Sequence, residues 1–174
     1  MSTVANVSAA KPKTGGAIYV ADTGKDTAAA TKLVMNGTTL QNNTSGARGG
    51  ALATDTSSTA LIINATNCTF YKNTSTTSGG AVCVQNSNCN STTDPTAVPI
   101  VFTGCVFREN SSKTDGGAID VRTNSCLKID GITAEGNTAT GNGGVVYVTS
   151  NNTRLYITGE VSCKNNTAKS GPFS

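Results

Sequence analysis

Residues 107–121 read FRENSSKTDGGAIDV, and the pattern of that stretch recurs along the chain. Asn110 stands six positions before Gly116, and Gly116-Gly117 opens a short run of small and branched residues. The Gly pair reads GGAI at Gly15, GGAL at Gly49, GGAV at Gly79, GGAI at Gly116 and GGVV at Gly143, with copies beginning 34, 30, 37 and 27 residues apart. Asn43, Asn73, Asn137 and Asn165 hold the same place six residues ahead of Gly49, Gly79, Gly143 and Gly171. A period near 30 residues marks a solenoid: no unit can bury its apolar residues alone, but stacked units can.

Alternation within each unit assigns the faces, because side chains on a strand point to opposite sides in turn. After the Gly pair, Ile18 and Val20, Leu52 and Thr54, Val82 and Val84, Ile119 and Val121, and Val146 and Val148 point inward. Tyr19, Ala53, Cys83, Asp120 and Tyr147 then face out. A second inward column is Leu33, Ile63, Ile100, Leu127 and Leu155, and a third, seven residues on, is Leu40, Phe70, Phe107, Ala134 and Ser162. Three short strands per unit predict an all-β, right-handed parallel β-helix, a three-sided β-solenoid of about five coils. It spans residues 14–174, with residues 1–13 as an N-terminal arm. The Gly pair suits a sharp corner, and Asn43, Asn73, Asn110, Asn137 and Asn165 are expected to form a ladder of side-chain amides along another.

Phe70-Tyr71-Lys72-Asn73 and Phe107-Arg108-Glu109-Asn110, paired with the GGAI-type motifs, form an FxxN pattern that resembles the repeat of chlamydial polymorphic outer membrane proteins. The resemblance covers residues 14–171, and the other three copies keep only the Asn. It implies a β-helical surface adhesin, hence an extracellular structural or adhesive role. It also supports the right-handed winding.

Composition narrows the alternatives. Charged residues make up 13% of the chain and aromatics 5%, with no His and no Trp, and the net charge of +3 is dispersed. Nothing resembles a basic, aromatic-interleaved nucleic-acid surface, and no apolar run reaches the ~20 residues of a membrane span. Six Cys without His or a CxxC spacing do not suggest zinc, and no metal or cofactor is expected. Cys68 with Cys105 and Cys89 with Cys126 occupy equivalent phases of neighbouring coils, close enough to form two disulfides, the alternative for Cys68 and Cys105 being a pair of buried free thiols stacked inside. Cys83 and Cys163 are expected to face outward. Eleven sequons, at Asn6, Asn36, Asn42, Asn43, Asn64, Asn67, Asn73, Asn90, Asn110, Asn151 and Asn165, make N-glycosylation a candidate modification. With disulfide-type Cys usage they point to secretion or the cell surface.

The ten acids are scattered, with no pair in phase for glycoside chemistry. A carbohydrate-active enzyme is therefore the minor alternative. Length variation concentrates at Ala21–Thr31 and Gln85–Val98, which both follow the first strand of a unit and should project from one edge. The chain closes near Ser170 in the phase at which Thr14 opens. The leading expectation is thus an extracellular glycoprotein that self-associates end to end into a filament. A monomeric adhesin displaying its loops is the alternative.

Overall fold

A computed structural model describes residues 2–9, 14–21, 31–54, 61–87, 89, 98–149 and 152–169. Most strands form on short runs that contain β-branched residues, Thr and Val above all. A partial coil holds β1 (Thr3–Ala5) and β2 (Ser8–Ala9). The next two coils have four strands each: β3 (Ile18–Val20), β4 (Thr31–Asn36), β5 (Thr39–Gln41) and β6 (Thr44–Ser45), then β7 (Leu52–Thr54), β8 (Leu61–Thr66), β9 (Thr69–Tyr71) and β10 (Thr74–Ser75). In the following coils the two middle strands merge into one: β11 (Val82–Gln85), β12 (Ile100–Arg108) and β13 (Ser111–Ser112); β14 (Ile119–Arg122), β15 (Cys126–Glu135) and β16 (Thr138–Ala139); β17 (Val146–Val148), β18 (Arg154–Lys164) and β19 (Thr167–Ala168).

All pairing is parallel and runs from coil to coil, giving three sheets around one core. The first sheet, β3-β7-β11-β14-β17, follows the Gly corners; the second is the long β4/β5-to-β18 side; the third, β2-β6-β10-β13-β16-β19, follows the Asn corner. This is the expected three-sided parallel β-solenoid. Ile63, Ile100 and Leu127 lie in register in the second inward column, and Leu40, Phe70, Phe107 and Ala134 in the third, all fully buried. Phe70 and Phe107 stack with ring centroids 4.7 Å apart, and Phe102 meets both edge-on.

The Gly corner explains itself at coil three. Gly79 has φ +67°, a left-handed conformation costly for other residues, and a Cβ on Gly80 would run into the carbonyl oxygen of Gly117 in the next coil. Two expectations need correction here. The supposed N-terminal arm is already solenoid: Thr3–Ala5 pairs with Thr39–Gln41 and Ser8–Ala9 with Thr44–Ser45. The rung below residue 14 is thus occupied. In the last coil Ser162 is not an inward residue. Gly159 and Glu160 stand where the coil before has Gly131 alone, so the register shifts and Ala134 pairs with Cys163. That bulge sets Cys163 in register with the inward column and turns Ser162 out, yet in this final coil the Cys163 thiol stays exposed.

Candidate functional site

The Asn corner is built first, because it orders everything near it. Asn73 Nδ2 donates to the Leu40 carbonyl at 2.9 Å and to Asn110 Oδ1 at 3.0 Å, while its backbone N–H donates to the same Oδ1 at 3.0 Å. Asn43 and Asn110 repeat the pattern, and Asn137 carries it upward at 2.9 Å and 2.8 Å. Its upper partner is Asn166, not the expected Asn165. The extra residue at Glu160 displaces the ladder by one, leaving Asn165 exposed with φ +54°. Downward, the position belongs to Val7, whose N–H donates to Asn43 Oδ1 at 3.1 Å and which offers no amide of its own.

One residue before each ladder Asn the chain is left-handed: Asn6, Asn42, Lys72, Glu109, Gly136 and Asn165 all have φ between +53° and +64°. The sequence reading missed this column, although the side-by-side Asn pairs at 42–43 and 165–166 carry its signature. Lys72 and Glu109 make it a charged corner in the middle coils. Lys72 Nζ lies 3.5 Å from Glu109 and 5.0 Å from the Tyr71 ring centroid, and Arg108 covers the same ring at 4.8 Å. These contacts are half-exposed and salt-screened, so they shape the surface more than they stabilise it.

On the Gly-side sheet, Ala53, Cys83 and Asp120 alternate with the inward residues as expected, but they are buried rather than solvated. Asp120 Oδ2 pairs with Arg122 Nε at 2.5 Å, while its Oδ1 has no hydrogen-bond partner. Burial pushes the Asp120 carboxyl up to about 6, against the pull of Arg122 and Arg48, and pushes the Cys83 thiol up beyond reach of ionisation at neutral pH. A carboxyl bound more tightly to its proton in the folded state contributes stability that is fully present below its unfolded value and is lost as pH rises through 6. We therefore expect stability to rise between pH 7.5 and pH 4.5 by no more than about 3 kcal/mol from this group. Urea unfolding of Asp120→Asn beside the parent protein checks this: the variant should lose that part of the pH slope.

Of the two expected disulfides, Cys89–Cys126 is formed, with Cα atoms 5.0 Å apart. Cys68 and Cys105 are instead separate buried thiols in adjacent coils. Their sulfurs point to main-chain carbonyls, Cys68 to Thr66 at 3.3 Å and Cys105 to Ala65 at 3.4 Å, and burial pushes the Cys105 thiol up to about 12. Both pack inward, where a thiol serves as a small apolar side chain.

The sequons divide by burial. Asn43, Asn73 and Asn110 are ladder residues with no exposed surface, and the Nδ2 atom that would carry a sugar spends both hydrogens inside. They are corrected from acceptors to structural residues. Asn6, Asn36, Asn42, Asn67 and Asn165 are exposed and Asn64 is half-buried; Asn90 and Asn151 lie outside the described residues. A shallow hollow of about 330 Å³ on the long side is lined by Gly104, Gly131, Ile132, Thr133, Glu160 and Ser162, and brings no second carboxylate to Glu160. Among the described residues, no group of three or more His, Cys, Asp or Glu could hold a metal ion, and no helix is long and apolar enough to cross a membrane.

The FxxN corner, the Gly corner and the stacked Phe rings all belong to one repeating unit, which can be compared with known repeats. Two segments of the chain match the Chlamydia polymorphic membrane protein repeat. The matches cover residues 67–85 and 104–122, from the strand carrying Phe70 or Phe107 through the ladder Asn and the Gly pair to the end of β11 or β14. No curated protein and no solved structure matches the chain. Within the polymorphic membrane protein repeat, the motif residues have architectural work here: Phe fills the core, Asn bonds the coils together, and Gly turns the corner.

Proposed function

We propose that the protein is a surface-displayed, non-enzymatic scaffold with a structural or adhesive role, carrying variable loops along one edge of a rigid solenoid. The observation behind this reading is the coincidence of the polymorphic membrane protein repeat with the stacking code itself. Residues that define the repeat face the core or the ladder, which leaves the outer face and the connections free to vary. The insertions at Ala21–Thr31 and Gln85–Val98 both join the Gly-side sheet to the long side, as a display edge requires. An epitope tag inserted between Gln85 and Val98 should be labelled by antibody on intact producing cells. Labelling only after the cells are lysed would overturn the proposal.

End-to-end self-association is a second reading, favoured by Ile157 and Val161, inward-column residues of the last coil that are 58% and 38% exposed. Against it, Val7 offers no Oδ1 to the Asn166 of a copy stacked beneath. Sedimentation velocity across a hundredfold concentration range separates the two: growing oligomers support stacking, and an unchanging monomer excludes it. As for glycans, among the sequons at described residues we assign acceptor roles to Asn6, Asn36, Asn42, Asn64, Asn67 and Asn165. In a host with the glycosylation machinery, site-resolved mass spectrometry of the folded, secreted protein should find sugar among these and none at Asn43, Asn73 or Asn110. Sugar on any of those three in folded protein would contradict the ladder geometry.

A further inference from the structure

The disulfide has a neighbour that a purely structural cross-link does not need. Cys89 and Cys126 join two turns already held in register: Asn86 N–H donates to the Thr123 carbonyl at 2.8 Å, Cys89 N–H to the Asn124 carbonyl at 3.1 Å, and Cys126 N–H to Ser87 Oγ at 3.2 Å. One coil further on, Arg154 pairs with Cys126 in strand register, and its Nη1 donates to Cys89 Sγ at 3.4 Å. Among the described residues Arg154 is in none of the ion pairs, so its charge is directed at sulfur rather than at a carboxylate.

We infer that Cys89–Cys126 is a reversible redox clasp at the base of the Gln85–Val98 insertion, with Cys89 as the leaving sulfur. The co-reactant is a small external thiol. Its thiolate attacks Cys126 Sγ, the S–S bond breaks, and the electron pair passes to Cys89 Sγ, whose new negative charge forms beside the Arg154 guanidinium. A second external thiol then attacks the mixed disulfide, releasing the Cys126 thiolate, which takes a proton from solvent. Two external thiols are oxidised to one disulfide, and their two electrons reduce the clasp. Because the turn-to-turn hydrogen bonds do not involve the sulfurs, both cysteines remain facing one another and the bond can re-form. The guanidinium contacts Cys89 Sγ in the bonded state too, but it stabilises a thiolate there more strongly than a neutral disulfide sulfur, so it raises the tendency of the bond to open.

The test equilibrates the full chain, carrying Cys163→Ser to remove the exposed thiol, in stepped ratios of reduced to oxidised glutathione. Alkylation and peptide mapping then report the Cys89–Cys126 bond. Arg154→Gln should require about tenfold stronger reducing conditions for half-reduction, equivalent to ~30 mV for a two-electron couple. Arg154→Lys, which keeps the charge, should remain within about threefold of the parent. Equal midpoints for the parent and Arg154→Gln, with matched circular dichroism, would overturn the role of Arg154. Reduction that occurs only together with global unfolding would overturn the clasp itself.

Discussion

Asn110→Ala will lower the stability of the folded chain by about 3–6 kcal/mol. The side chain is fully buried, and its Oδ1 accepts from both the backbone N–H and the Nδ2 of Asn73, at 3.0 Å each. Its Nδ2 in turn satisfies the Phe70 carbonyl at 2.9 Å. Alanine strips this partner from the Asn73 N–H, from one of the two Asn73 Nδ2 hydrogens (the other keeps the Leu40 carbonyl) and from the Phe70 carbonyl. A buried group left unsatisfied costs roughly 1–3 kcal/mol when no water can replace the partner. Asn110→Asp sharpens the experiment. It retains an acceptor for Asn73 but turns a second oxygen toward the Phe70 carbonyl and Asn137 Oδ1, both acceptors. Urea midpoints should therefore fall strongly for both variants, while exposed Asn36→Ala shifts by less than about 0.5 kcal/mol. A midpoint for Asn110→Ala close to that of Asn36→Ala would mean that the ladder contributes nothing.

Phe107→Ala should cost about 3–5 kcal/mol by a different route. Phe107 is fully buried between the Phe70 ring stacked at 4.7 Å and the Phe102 ring edge-on at 5.7 Å. Removing it deletes apolar burial and opens a cavity whose walls are strands hydrogen-bonded to coils on either side, so collapse is restricted. Phe107→Leu, which refills most of the volume, should recover more than half of the loss. Thermal and urea unfolding of the three proteins measure this directly. Equal losses for Leu and Ala would show that ring stacking, not volume, governs the site.

Both substitutions fall within the polymorphic membrane protein repeat at 104–122. Their expected severity follows from what the motif does in this fold: Phe and Asn each bond or pack to the coil above and the coil below. A substitution at such a position weakens two interfaces at once, which is the general vulnerability of a solenoid.

Much of this was legible in the chain itself. The period of the Gly pairs, the inward columns through Ile63, Ile100 and Leu127, and the ladder from Asn43 to Asn137 are local patterns repeated until chance is excluded. Hydrophobic alternation along a strand, together with a corner residue at a fixed offset, identifies a face without knowledge of any partner. Cys89 and Cys126 were also legible, because equal phase in neighbouring coils brings Cα atoms within bonding range.

What the tertiary structure decided is whatever depends on the neighbouring coil rather than on the strand. One added residue at Gly159-Glu160 slips the register, exchanging Ser162 for Cys163 and Asn165 for Asn166. A sequon at Asn73 looks like one at Asn36 until the ladder claims both of its amide hydrogens. Cys68 and Cys105 share the phase logic of the bonded pair yet turn their sulfurs to carbonyls, and Asp120 points away from the core yet is enclosed. Thr3–Ala5 becomes solenoid only because Thr39–Gln41 stands ready to pair with it. Sequence alone determined the coil, since alternation and corner chemistry act within a few residues; only stacking determined register, burial and thiol pairing, since those are properties of one coil against the next.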